Sequence, residues 1–171
     1  MKNVNAIAHT TSPSQSRARE PDELIRHAVK GTTGLLASTA KHGSRVKRVV
    51  LTSSSDGPTP ASATEPNGLR GLDACNDTPV HEVRGMDREA SPFEKYGASK
   101  VLAERAAWDW WGEHKTKDGL KWDLVVILPP LVLGPWLHKV ERVEDLDESL
   151  RLYHANVLKG QMGHDSLAIS G

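Results

Sequence analysis

Val49-Val50-Leu51-Thr52-Ser53-Ser54-Ser55 is a run of three apolar, mostly β-branched residues that empties into four hydroxyl side chains. A short apolar run without polar alternation reads as a strand buried on both faces, the pattern of a parallel sheet. The hydroxyls mark where the strand stops. Two further runs have the same form. Val4 to Ala8 ends at the polar turn His9-Thr10-Thr11-Ser12-Pro13, and Asp123 to Leu128 ends at Pro129-Pro130, where proline cannot donate into a central ladder.

Helical patterns separate these strands. Pro21-Asp22-Glu23 opens the first, because proline suits the first turn and acids favour its positive end. Leu24, Ile25, Ala28, Val29, Leu35, Leu36, Thr39 and Ala40 then keep a helical period up to Gly43, a natural stop. A second helix is predicted from Phe93 or Tyr96 through Trp111, with strong helix formers in its middle. A third runs from about Asp147 to Leu158, presenting Leu150, Tyr153, Val157 and Leu158 and closing at Gly160. Asp56 to Pro92 is rich in Gly, Pro, Asp and Asn with no clear period, and reads as one long loop. The alternation predicts an α/β fold: a parallel sheet with right-handed crossovers and helices on both faces. Three strands are few, and at least one strand edge is expected to be unpaired and apolar.

Composition narrows the function. The 171 residues fit one ordinary domain. Basic and acidic side chains balance at 22 each, so there is no general electrostatic case for nucleic acid or a membrane surface as a partner. The basic run Lys41 to Arg48 reads as a helix end and loop. Cys75 is the single cysteine, which excludes an intrachain disulfide and makes the cytosol the default compartment. The histidines show no pair at metal-ligand spacing, so no metal is expected. No run is apolar enough for a secretory leader or a bilayer span. A soluble, cytoplasmic protein is the expectation; oligomeric state is not legible.

Open parallel sheets bind ligands outside the carboxyl ends of their strands, where all three polar clusters fall. Tyr96 and Lys100 are four apart, so on a helix they share a face. An ammonium near a phenol favours the phenolate and lowers a pKa that starts at about 10. Such a tyrosine can exchange a proton with a carbonyl or alcohol oxygen, and a serine from the second strand's end can hold the same oxygen. The spacing alone is a weak motif. Trp108, Trp110, Trp111, Trp122 and Trp136 are read as packing residues. Asp56 and Asp73 are loop acids without a visible partner, and Cys75 lacks a histidine motif that would make it a nucleophile.

The surrounding residues strengthen the pair. Val46–Ser54 (Val-Lys-Arg-Val-Val-Leu-Thr-Ser-Ser), Tyr96–Trp108 (Tyr-Gly-Ala-Ser-Lys-Val-Leu-Ala-Glu-Arg-Ala-Ala-Trp) and Leu128–Pro135 (Leu-Pro-Pro-Leu-Val-Leu-Gly-Pro) resemble the extended short-chain dehydrogenase/reductases of the NAD-dependent epimerase/dehydratase superfamily. They are most similar to the branch of dihydroflavonol, cinnamoyl and fungal methylglyoxal or aldehyde reductases. His9–Pro13 (His-Thr-Thr-Ser-Pro) and Pro21–Thr32 resemble that branch in the family's order.

The resemblance implies the C-terminal half of a Rossmann-like doubly wound sheet and NADPH-dependent reduction of a small-molecule aldehyde or ketone, with NAD as the alternative cofactor. It implies that Tyr96 is the proton donor and that Lys100 lowers its pKa and bonds the nicotinamide ribose. Ser54 would bind the substrate carbonyl, with Ser53 and Ser55 remaining open. His9, Thr10, Thr11, Thr52 and Ser53 would lie along the cofactor, and the backbone of Pro130, Leu131 and Val132 would meet its carboxamide.

Departures from the family are equally specific. The family's Gly-x-x-Gly-x-x-Gly turn does not occur here, and the chain begins where a fourth strand is expected, roughly 70–80 residues into the fold. Residues 136–171 would begin a substrate-binding lobe. A catalytically silent fragment or interaction module is therefore the second expectation, with no tight NADPH binding or carbonyl turnover by the chain alone. A nucleotide-sugar epimerase or dehydratase is the third.

Overall fold

The structure is a computed structural model that describes residues 3–12, 20–54, 78–130, 132, 134, 139–146 and 148–159. Among the described residues three parallel strands, β1 (Ala6–His9), β2 (Arg48–Thr52) and β3 (Asp123–Ile127), form one sheet in the order β1-β2-β3. His9 lies opposite Leu51, and Thr52 lies opposite Ile127. The three strands thus end almost level. The connections carry α1 (Pro21–His42), α2 (Thr78–Met86) and α3 (Pro92–Lys117).

Both crossovers move the chain the same way across the sheet, so a right-handed connection puts α1 and α3 on the same face. Leu36 of α1, Val49 and Leu51 of β2, Ala107 of α3 and Leu124 of β3 form one core there. Val49 and Leu51 are buried while Val50 between them is half-buried, the two-residue period of a pleated strand. On the opposite face Ala6 and Ala8 are exposed and Ile127 is 46% exposed. Among the described residues, helices therefore cover one face of the sheet, where both faces were expected.

The buried row of α1 is Leu24, Ala28, Thr32, Leu36 and Thr39. The helix stops at Gly43, whose N–H donates to the Thr39 carbonyl at 2.7 Å. A Cβ at Gly43 would stand 2.6 Å from that carbonyl oxygen and 2.9 Å from Val46 Cγ2, so the close turn into β2 requires a residue without one.

The expected loop from Asp56 to Pro92 is corrected by α2 and by the 3-10 turn Asp87–Glu89 that follows it. Val80 and Val83 bury against Ala90, Ala98 and Val101, with Ile25 of α1 alongside. Pro79 and Gly85 mask the pattern, and tertiary packing overrides weak local propensity. Asp56, Asp73 and Cys75 lie outside the described residues.

A capping box starts α3: Glu94 N–H donates to Ser91 Oγ at 3.2 Å, and Ser91 N–H donates to the Glu94 carboxylate. The helix runs on to Lys117, past the predicted end at Trp111. Its tryptophans pack as expected. Trp122 is 3% exposed and stacks on Trp110 with centroids 6.4 Å apart, and Trp111 Nε1 donates to the Trp122 carbonyl at 3.2 Å. Trp136 lies outside the described residues.

Met1–Pro130 form one compact unit and Leu131–Gly171 another. The second unit contains a 3-10 turn (Val143–Asp145) and α4 (Glu148–Tyr153), which continues as a π turn, His154–Leu158. The predicted last helix is present with a wider final turn. No described helix is long and apolar enough to cross a membrane, and no described group of three or more His, Cys, Asp or Glu could hold a metal ion.

Candidate active site

The site is built at the level ends of the strands. Ser53 N–H donates to the Ile127 carbonyl at 2.9 Å. Backbone groups alternate sides along a strand, so the Thr52 carbonyl points the other way, toward β1. That strand ends at His9, opposite Leu51, one residue short of Thr52. The carbonyl is left without a ladder partner, and Lys100 takes it: Nζ donates to Thr52 O at 3.3 Å.

Lys100 is 7% exposed, and burial pushes its pKa below the usual lysine range. Its Nζ stands 5.4 Å from the centroid of the Tyr96 ring, on the shared helix face that the four-residue spacing predicts. Tyr96 is half-buried.

His9 continues the row of Ile7, the row that pairs with core residues Val49 and Leu51. Burial first, and the Lys100 charge second, hold its imidazole below the usual histidine range. The reverse effect on Lys100 is absent because His9 is already neutral where a lysine titrates. Two basic groups thus share one poorly solvated end of the sheet, and the proton belongs to Lys100.

A small cleft beside Lys100 is lined by Thr11, Thr52 and Ser53, all expected, together with Ser12, Thr32, Ala103 and Glu104, which were not. Thr32 was findable, because it interrupts the apolar i, i+4 row of α1. Glu104 and Ala103 follow Lys100 by four and three residues and share its face. Thr10 is exposed, and Ser54 is half-buried. Ser55 and Leu131 lie outside the described residues. Pro130 is exposed at the end of the first unit, and Val132, 68% exposed, belongs to the second.

An ammonium amid hydroxyls suits a polyol such as a ribose. Phosphate is a different matter, because anions favour helix N-termini with free N–H groups. The entry to α1 carries Glu20, Asp22 and Glu23, and that of α3 is satisfied by its own capping box. The groups beside Lys100 therefore suit the hydroxyls of a ribose, and neither of these two helix ends suits a pyrophosphate.

Comparison with known proteins agrees with this architecture. A ketoreductase of Aspergillus niger is 35% identical over 159 residues, covering 92% of this chain and 44% of that protein. The NADPH-dependent methylglyoxal reductase of Saccharomyces cerevisiae is 28% identical, covering 90% and 44%. The crystal structure of Gre2 from Candida albicans in complex with NADPH superposes with a TM-score of 0.68 at 26% identity, covering 89% of this chain and 43% of that one. The chain thus spans less than half the length of these relatives, and the parallel sheet is Rossmann-like. Residues 1–161 match the NAD dependent epimerase/dehydratase family, and the chain belongs to that family.

Proposed function

We propose that this chain carries the proton-donating side of an NADPH-dependent carbonyl reductase acting on an aldehyde or ketone. The observation that carries the reading is the position of Lys100, between the Tyr96 ring and the Thr52 carbonyl at the ends of a parallel sheet. Relatives named as ketoreductase and methylglyoxal reductase support the reaction class.

NADPH, when bound, supplies a hydride to the carbonyl carbon. The Tyr96 hydroxyl gives its proton to the carbonyl oxygen, and the nearby ammonium favours the phenolate left behind. Ser54, with Ser53 beside it, would hold the oxygen in place. Lys100 and the hydroxyls of Thr11, Thr52 and Ser53 would bind the ribose, with His9 and Thr10 further along the cofactor. The backbone at Pro130, Leu131 and Val132 would meet the carboxamide, and residues 136–171 would open the substrate lobe.

One observation favours a second reading, in which the chain alone is catalytically silent: neither the acidic entry to α1 nor the self-capped entry to α3 suits a pyrophosphate. Calorimetric titration with NADPH, and carbonyl-dependent loss of the reduced-nicotinamide absorbance, test both readings. Turnover abolished by Tyr96→Phe establishes the first for this chain. Micromolar NADPH affinity removes the second, and no binding at millimolar NADPH removes the first.

A further inference from the structure

Lys95 immediately precedes Tyr96, and it is only 5% exposed. A buried ammonium is costly, and the first turns of a helix are its positive end, so a lysine here is doubly disfavoured unless something fixes it. Its Nζ donates to the Arg88 carbonyl at 2.8 Å. Arg88 belongs to the 3-10 turn that leads from α2 into α3, and its guanidinium meets Glu20, at the entry to α1, at 2.6 Å. The backbone ahead of Tyr96 is therefore tied to α3 through Lys95 and to α1 through Arg88.

The two ties are unequal. The side chains of Arg88 and Glu20 are 72% and 44% exposed, and exposed ion pairs contribute little. The Lys95 bond is made by a buried charge, where a hydrogen bond is strong and its loss is costly. Tyr96 lies early in α3, where helices fray, whereas Lys100 lies a turn deeper. If the start of the helix loosens, the Tyr96–Lys100 pair separates.

We propose that Lys95 is a positioning residue: its bond to the Arg88 carbonyl holds the first turns of α3 and so keeps the Tyr96 ring against Lys100. The role rests on reading Tyr96 as the proton donor, but its test needs neither NADPH nor turnover.

The full chain is labelled for NMR. It has two tyrosines, so the Tyr96 ring signals are readily assigned. Two quantities are followed: the nuclear Overhauser contact between the Tyr96 ring and the Lys100 side chain, and amide exchange over residues 94–98. Lys95→Met should lose the contact and speed that exchange about tenfold or more, as local opening becomes easier. Lys95→Arg should restore both, and Arg88→Ala, which keeps the backbone carbonyl, should leave both near wild type. If Lys95→Met does not fold, Lys95→Leu, which also lacks a donor, is read in the same way. A folded variant without the Lys95 ammonium that keeps the contact and the slow exchange overturns the proposal, even if its melting temperature falls. So does an Arg88→Ala chain that loosens as much. Failure of the reductase reading would appear only in the NADPH experiments.

Discussion

Lys100 donates to the Thr52 carbonyl at 3.3 Å, and it can do so because β1 ends at His9, one residue before the position that would pair with Thr52. A strand that stops early converts a ladder acceptor into an anchor for a side chain. The same ammonium lies 5.4 Å from the Tyr96 ring centroid, so one lysine joins the sheet's end to the helix that carries the proposed proton donor.

Lys100→Met should separate function from stability. Methionine keeps much of the length and apolar stem while removing a desolvated charge. Loss of the desolvated charge offsets the Thr52 carbonyl left without a donor, so unfolding free energy should fall by no more than about 1–3 kcal/mol, while the response to NADPH disappears. Thermal melts and NADPH titration of the same samples check this. A destabilised variant that still binds NADPH would contradict it.

His9 should make the chain acid-sensitive. Its folded pKa is lowered by burial and then by Lys100, so the unfolded chain takes up the proton at higher pH than the folded chain does. Stability therefore rises with pH between the folded His9 pKa and about 6.5, and is lost as pH falls through that window. Lys100→Met removes the repelling charge, which should raise the His9 pKa and narrow the window. Imidazole C–H titration by NMR measures both chains, and identical His9 curves would refute the coupling.

Gly43→Ala should destabilise by about 1–3 kcal/mol, the usual cost of overpacking. The new methyl meets backbone at Thr39 and the side chain of Val46, and only the latter can yield. Urea unfolding gives the value; a neutral result would show that the turn between α1 and β2 relaxes freely.

Trp122 should tolerate phenylalanine better than alanine by a wide margin. Its Nε1 is buried without a hydrogen-bond partner, so Trp122→Phe removes an unmet donor worth about 1–3 kcal/mol along with some packing. Trp122→Ala should cost about 3–5 kcal/mol. Equal losses in urea unfolding would mean that the indole N–H has a partner in solution.

Much of the first unit was legible because its signals are local. Val49-Val50-Leu51 had only to be apolar and short, and α1 announced itself through Pro21, a periodic row and Gly43. The helix α2 was not legible, since two valines three residues apart between Pro79 and Gly85 carry little periodicity until Ala98 and Val101 are brought against them. Nor could the sequence show which face of the sheet each helix covers, a consequence of both crossovers running in one direction.

In the candidate site, the Tyr96–Lys100 spacing was readable from helix geometry alone. The anchoring of Lys100 on a carbonyl was not, because it depends on where β1 stops relative to β2. Thr32 is the instructive omission: a threonine within the apolar row of α1 pointed inward, and only the packing of α1 against α3 reveals that it lines the cleft.

An NMR titration of the full chain with NADPH, read at backbone amides, asks directly whether Lys100 and the strand ends beside it hold the cofactor. Shifts centred on Thr52, Ser53, Tyr96 and Lys100 that vanish in Lys100→Met are expected. Shifts centred elsewhere, shifts that survive the substitution, or none at millimolar NADPH would contradict the proposed function.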